Sequence, residues 1–258
     1  SIDKYPYQSD YITEKKKKFG FFQSEKEYFV KIADDLGMIK ISPYKYARHP
    51  LVYLVEAADD ICYEIMDIED AHKMKLITTE ECKNLLLDYI SEEKKESKIE
   101  KMMKVGDENE QIVYLRSSVI GILVDECAKI FVENEEAIMN GTFNSSLIDS
   151  LPEPVSEAYK KCQKISSKKI YHSKDVVDVE IAGYNIIYTL IEKSINAAFN
   201  PQEAYSKLLI ARIPEQYEIS EEEPYKKIIA VLDYISGMTD IYALDLYQKL
   251  TGMSLPTL

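Results

Sequence analysis

The stretch RHPLVYLVEAADDICYEIMDIEDA, Arg48 to Ala71, decides the fold. On a helical wheel of about 100° per residue, Glu56, Asp59, Asp60, Tyr63, Asp67 and Asp70 fall within about 60° of one line. Leu54, Ala58, Ile61, Ile65 and Ile68 fall opposite. The pattern predicts an amphipathic helix over residues 50–75 with a buried aliphatic stripe. Pro50 opens it, because its missing N–H and fixed φ suit the first helical position. Cys62 points away from the acidic line and is expected to be packed.

Between His49 and His72 stand seven carboxylates and no lysine or arginine, so the i,i+4 pairing that usually neutralises a helix face is absent. Two readings stay open. One is an acidic surface helix in an acidic protein. The other is a hard divalent cation, which prefers oxygen ligands, seated on this line. Tyr63 follows Asp59 by four residues and would line the same wall. Metal plus aromatic ring suggests a phosphorylated, ring-bearing ligand.

Composition bounds the rest. The 258 residues suffice for one large domain or two small ones. Eight glycines and nine prolines disfavour a turn-rich all-β fold. A net charge of −13 argues against general nucleic-acid binding, because a phosphate backbone requires a basic surface. A local basic cluster can still hold a small phosphate ligand. Cys62, Cys82, Cys127 and Cys162 form no CxxC pair, so neither a zinc knuckle nor a disulfide framework is expected. With no apolar run near membrane-spanning length and no signal-peptide pattern, a cytoplasmic protein is expected. The chain opens at Ser1 without methionine, which leaves both an upstream segment and a processed terminus open.

Along the chain, residues 1–23 read as an extended loop carrying Lys4, Tyr5 and Pro6. In it the basic run Lys15–Lys18 leads into Phe19–Phe22, which should anchor the loop. Ser24 with Glu27 forms a capping box, and Gly37 ends the helix it opens. Thr78 with Glu81 starts another helix, to about Glu93. Residues 92–111 read as a mobile surface connection, and Gln111–Asn140 as one long helix stopped by Gly141. Arg116 within it is expected to pair at the surface or with the acidic helix. A short helix over Val155–Ser166 follows. The next is capped by Ser173 and buries Val176, Val179, Ile186, Ile187, Leu190 and Ile191. Another spans Pro201–Ile213. Ser220 with Glu223 opens a final pair joined at Ser236–Thr239, where Gly237 marks a kink or a close helix approach. No strand pattern is long enough for a sheet, so the fold class is all-α. His49 is expected to cap the acidic helix, and His172 to lie at the surface.

Four ordered blocks carry a resemblance. They are Lys4-Tyr5-Pro6, Lys18-Phe19-Gly20-Phe21-Phe22, the run from His49 through Ala71, and Asp233-Tyr234-Ile235-Ser236-Gly237-Met238-Thr239-Asp240. Together they look like the C-terminal signature of bacterial deoxyguanosine triphosphate triphosphohydrolases (dGTPases) of the HD phosphohydrolase superfamily. The resemblance implies an HD-domain-like helical bundle. Residues 1–91 would be the C-terminal part of the catalytic core, and 92–258 a helical region packed on it. It implies a homo-oligomeric hydrolase that cleaves a dNTP, dGTP foremost, into a deoxynucleoside and inorganic triphosphate. Asp59 would be the last protein ligand of a divalent metal, Mg or Mn, that polarises a phosphoryl oxygen. Tyr63 would pack on the nucleotide and Asp67 would accept from the sugar 3′-hydroxyl. Lys4, Tyr5 and Lys18 would line the phosphate and sugar side.

The sequence departs from that pattern in holding no His-Asp dipeptide. It therefore lacks the upstream His and His-Asp helices that supply the other metal ligands, and is expected to be inactive alone. Ile241 stands where a basic residue is expected. The alternative is a non-catalytic nucleotide-binding or regulatory helical module. A weaker third reading takes the acidic helix as a docking face for a basic partner protein.

Overall fold

The computed structural model describes residues 4–9, 12 and 18–254; Lys15, Lys16 and Lys17 of the basic run lie outside the described residues. Among the described residues the chain is helical apart from one short antiparallel hairpin, β1 (Lys40–Ser42) and β2 (Lys45–Tyr46). The helices are α1 (Lys26–Asp35), α2 (Pro50–Lys73), α3 (Thr79–Leu87), α4 (Glu92–Met103), α5 (Glu108–Glu133) and α6 (Glu135–Met139). They continue with α7 (Val155–Ile165), α8 (Lys174–Phe199), α9 (Ala204–Ile210), α10 (Pro224–Ser236) and α11 (Asp240–Thr251). The fold is all-α, as the sequence implied. No helix among the described residues is long and apolar enough to cross a membrane.

The chain divides into two compact units, 1–173 and 174–258. In the first, α2 packs chiefly on α5. Ile61, Ile65, Ile68 and Ala71 share one core with Leu85 and Leu86 of α3, Leu115, Val119 and Leu123 of α5, and Tyr159 of α7. Residues on both sides of position 91 thus contribute to a single core. In the second unit the C-terminal half of α8, through Leu190 and Ala198, packs with Val231, Tyr234, Ala243 and Leu246 of α10 and α11.

The organising helix starts as expected: His49 caps it, Nδ1 accepting the Leu51 N–H at 3.3 Å, with Pro50 in its first turn. Ile61, Ile65 and Ile68 are buried as expected, but the rest of its buried side differs from the expectation. Leu54 is 38 % exposed, and Ala58 and Cys62 are exposed, while Tyr53, Ala57, Ile61, Glu64, Ile68 and Ala71 face the core. The physical reason is the breadth of the arc outside the acidic line, which carries apolar residues on both flanks and two glutamates, Glu64 and Glu69, that find partners on being buried. A wheel then locates the acidic line but not which flank of the arc is buried.

Other boundaries moved as well. Residues 92–103, expected to be a mobile connection, form α4, held by buried Met102 and by Lys98, whose Nζ donates to Ser118 Oγ at 2.9 Å. The long helix starts earlier, where Asp107 accepts the N–H groups of Asn109 and Glu110, and it breaks at Asn134. Thr78 caps α3 as expected, though the helix ends at Leu87. The N-cap positions are Glu25 and Glu223 rather than Ser24 and Ser220: the first helix is entered through Phe22 N–H donating to Glu25, and α10 opens at Pro224. Val179, at 72 % exposure, and Ile187, at 42 %, are not buried; the residues of α8 that pack in the core of this unit run from Ile186 through Leu190, Ile191 and Ile195 to Ala198. Gly237 does mark a close approach, since a Cβ there would lie 3.1 Å from the Tyr217 hydroxyl.

The observed burial of α2 is testable by chemical denaturation. Ile65→Ala should cost about 2–5 kcal/mol, as for other fully buried aliphatic truncations. Leu54→Ala should stay within about 0.5 kcal/mol, as at other surface positions.

Candidate functional site

Asp59, Tyr63 and Asp67 follow one another at four-residue intervals along α2 and so lie on one side of it. Asp59 is exposed, Tyr63 is 67 % exposed, and Asp67 is half-buried. Asp67 is already oriented, because the Tyr171 hydroxyl donates a short hydrogen bond to its Oδ2. Tyr171 directly follows a π-helical turn, Ser166–Ile170, that continues α7. From the same turn Ser166 Oγ donates to Glu64 Oε1 at 2.9 Å. One irregular turn therefore sets two polar contacts on α2.

Lys4, Tyr5 and Lys18 are also brought together, lining one cavity beside the start of α2. Lys4 Nζ lies 3.0 Å from Glu56 Oε1, and Lys18 Nζ lies 5.9 Å from the centre of the Tyr5 ring. Burial alone would lower the pKa of Lys4, but the hydrogen bond and charge of Glu56 outweigh it and hold it raised. The expected site residues thus fall into two groups, because Asp59, Tyr63 and Asp67 do not line that cavity. Asp60, between them, has its pKa raised by burial, against the opposing charge of Lys4.

Asp59 fits a metal only as a single ligand. No group of three or more His, Cys, Asp or Glu side chains able to hold a metal ion occurs among the described residues. His49 is spent on capping, and exposed His172 places Nδ1 2.5 Å from the Ser167 carbonyl oxygen.

Against this geometry the relatives are informative. The model of the phosphohydrolase-associated domain matches residues 150–249. A deoxyguanosinetriphosphate triphosphohydrolase-like protein of Synechocystis sp. is 35 % identical over 242 residues, covering 92 % of this chain and 53 % of that protein. A protein of the same name from Pseudomonas aeruginosa is 30 % identical over 262 residues, covering 98 % and 59 %. The deoxyguanosinetriphosphate triphosphohydrolase of Yersinia enterocolitica is 28 % identical over 279 residues, covering 91 % and 54 %. The chain belongs to the dGTPase family. It matches the C-terminal portion and spans little more than half the length of these relatives.

Within this dGTPase-family chain, sequence reasoning missed Tyr171, Ser166 and Glu64 as parts of the site. Tyr171 is 104 residues from Asp67, and no spacing rule links them. Burial, then the Asp67 contact, pushes the Tyr171 phenol well above its usual range. Burial likewise pushes Glu64 up to about 6; the Ser166 hydrogen bond opposes this, and the charge of Asp67 adds to it. Arg116 is no surface salt bridge: it pairs with buried Glu69 of the acidic helix.

A raised carboxyl pKa favours the fold while the group is protonated. The contribution of Glu64 is therefore complete below its ordinary 4.5 and is lost as pH rises through about 6. Glu64→Gln should match the parent chain in stability near pH 4 and exceed it by about 1–2 kcal/mol at pH 8. Urea unfolding across that pH range measures the difference.

Proposed function

We propose that this chain forms the nucleotide-facing wall of a dNTP triphosphohydrolase that releases a deoxynucleoside and inorganic triphosphate. The observation that carries the reading is the accessible line Asp59, Tyr63, Asp67 on α2, whose last member is held by the Tyr171 hydroxyl. In this reading Tyr63 packs on the nucleotide. Asp67, oriented by Tyr171, accepts from the sugar 3′-hydroxyl, which rewards a deoxynucleotide in the right register. Lys4 and Lys18, with Tyr5, offset the charge of the phosphates. Asp59 contributes one ligand to a divalent metal, Mg or Mn. The names of the relatives make dGTP the first substrate to test.

The other metal ligands come, in this reading, from a polypeptide segment beyond the described residues. Its seat is available: Leu51, Leu54, Val55, Ala58, Cys62 and Met66 form an exposed stripe on α2 immediately beside Asp59. A helix apolar on both sides of its acidic line is the kind that is covered on both. The chain alone is therefore inactive in this proposal, and the active form is a homo-oligomer of the longer polypeptide.

A second reading, a nucleotide-binding module without catalysis, is favoured by the absence of a three-ligand metal group among the described residues.

Assay of triphosphate release from dGTP with Mg²⁺ or Mn²⁺ separates the two. The natural full-length polypeptide should turn over and this chain should not; Asp59→Ala in the full-length form should abolish turnover. Saturable dGTP binding without hydrolysis by the full-length form would establish the second reading instead. Asp67→Ala should raise KM about 10- to 100-fold, the loss of a hydrogen bond to a charged group worth about 1.5–3 kcal/mol.

A further inference from the structure

Along α8 the side chains Val177, Ile181, Tyr184, Tyr188, Ile191 and Ile195 recur at alternating intervals of four and three residues. This is the spacing of a coiled-coil seam, which keeps one apolar line turned toward a neighbouring helix. The far end of the line is covered, since Ile191 and Ile195 pack against the core of the second unit. The near end is open: Tyr184 is 72 % exposed, Ile181 57 % and Tyr188 55 %, and Val177 is only half-buried. The seam is distinct from the line of buried residues Leu190, Ser194 and Ala197 on the same helix.

The open stretch presents one continuous surface. The rings of Tyr184 and Tyr188 are stacked, with centroids 6.2 Å apart and planes 11° from parallel. Tyrosine suits an interface because its ring is apolar while its hydroxyl keeps a polar partner. Here the Tyr188 hydroxyl donates to Glu192 Oε1 at 3.4 Å, which holds that carboxylate beside the seam. A contiguous exposed apolar surface with a polar rim marks an interaction site.

Charge selects the occupant. Exposed Asp178, Asn185 and Glu192 flank the seam one heptad apart, and exposed Lys174 stands three residues before Val177. Consider two antiparallel copies of α8 related by a two-fold axis between Ile181 and Tyr184. Ile181 of each copy then faces Tyr184 of the other, and Val177 faces Tyr188. The same register brings Lys174 to Glu192 and Asp178 to the Asn185 amide, so each of these acids meets a cation or an amide. A parallel pair would instead set Lys174 beside its own copy, about 27 Å from either Glu192. The stretch is thus complementary to itself in one orientation.

We propose that two copies of this chain pair antiparallel through the Val177–Tyr188 stretch of α8, with Lys174 of each closing on Glu192 of the other. This contact rests on the homo-oligomer of the function proposed above and names the surface that forms it. It is read from association alone, without nucleotide, metal or turnover.

Sedimentation equilibrium of this chain, from the micromolar to the submillimolar range, tests it. A monomer–dimer equilibrium is expected, the dimer having twice the chain mass of 29.8 kDa. Ile181→Glu should weaken it about tenfold or more, by placing an unpaired charge within the seam. Val179→Glu, an exchange at an exposed position off the seam, should leave it unchanged. Lys174→Glu should weaken it about two- to fivefold, and Lys174→Glu combined with Glu192→Lys should restore it, a recovery that a folding defect cannot produce. A chain that stays monomeric throughout would overturn the proposal, as would parental association in Ile181→Glu or failure of the double exchange to restore it. Assembly of the natural full-length polypeptide that is unchanged in Ile181→Glu would overturn this contact and leave the homo-oligomeric reading standing. A parent that dimerises through this seam but releases no triphosphate in its full-length form would instead remove the hydrolytic reading alone.

Discussion

The structure of the first unit depends on how α2 satisfies carboxylates for which its own sequence, between its first turn and Asp70, provides no base. Burying an unpaired carboxylate costs several kcal/mol, so each inward one needs a partner from elsewhere. Glu69 takes Arg116 from α5 and Lys73 from the helix end. Glu64 takes Ser166 and Asp67 takes Tyr171, both from the turn after α7. Glu56 takes Lys4 from the N-terminal segment and Arg48 from just before the helix. The carboxylates of α2 thus act as a ruler along which three other segments are aligned.

Two of these glutamates, five positions apart, respond to pH in opposite senses. Burial would raise the pKa of Glu69, but hydrogen bonds from Lys73 and Arg116 outweigh it and hold it lowered. Its contribution to stability is present above the unfolded-state value and is lost on acidification. Glu64 has only a neutral hydroxyl for company and remains raised. What distinguishes them is partner charge, since both side chains are buried. Asp59 and Tyr63, in contrast, stand open to solvent on the same helix, which leaves them available to a ligand.

Much of this was legible where a local rule applies. The His49 cap, the Thr78 cap and the core positions of α5 all rest on neighbours within about one or two turns. Reading failed where the deciding partner is remote. Residues 92–103 carry little apolar periodicity, yet they form α4 because Met102 and Lys98 find places against the rest of the unit. The first half of α8 shows a convincing apolar period and is nevertheless exposed within its unit.

By itself the sequence determined that the chain is all-α, that Arg48–Ala71 contains a helix with one acidic line, and that Asp59, Tyr63 and Asp67 share a side of it. Periodicity and capping suffice for that, because they act within a single helix. Only the tertiary structure decided which flank of α2 is buried, that Tyr171 orients Asp67, that Arg116 meets Glu69, and that Lys4 and Arg48 converge on Glu56. Each of those outcomes requires two segments to be placed together in space. For Tyr171 and Asp67 they are 104 residues apart, and the spacing of residues along one segment carries no information about the other.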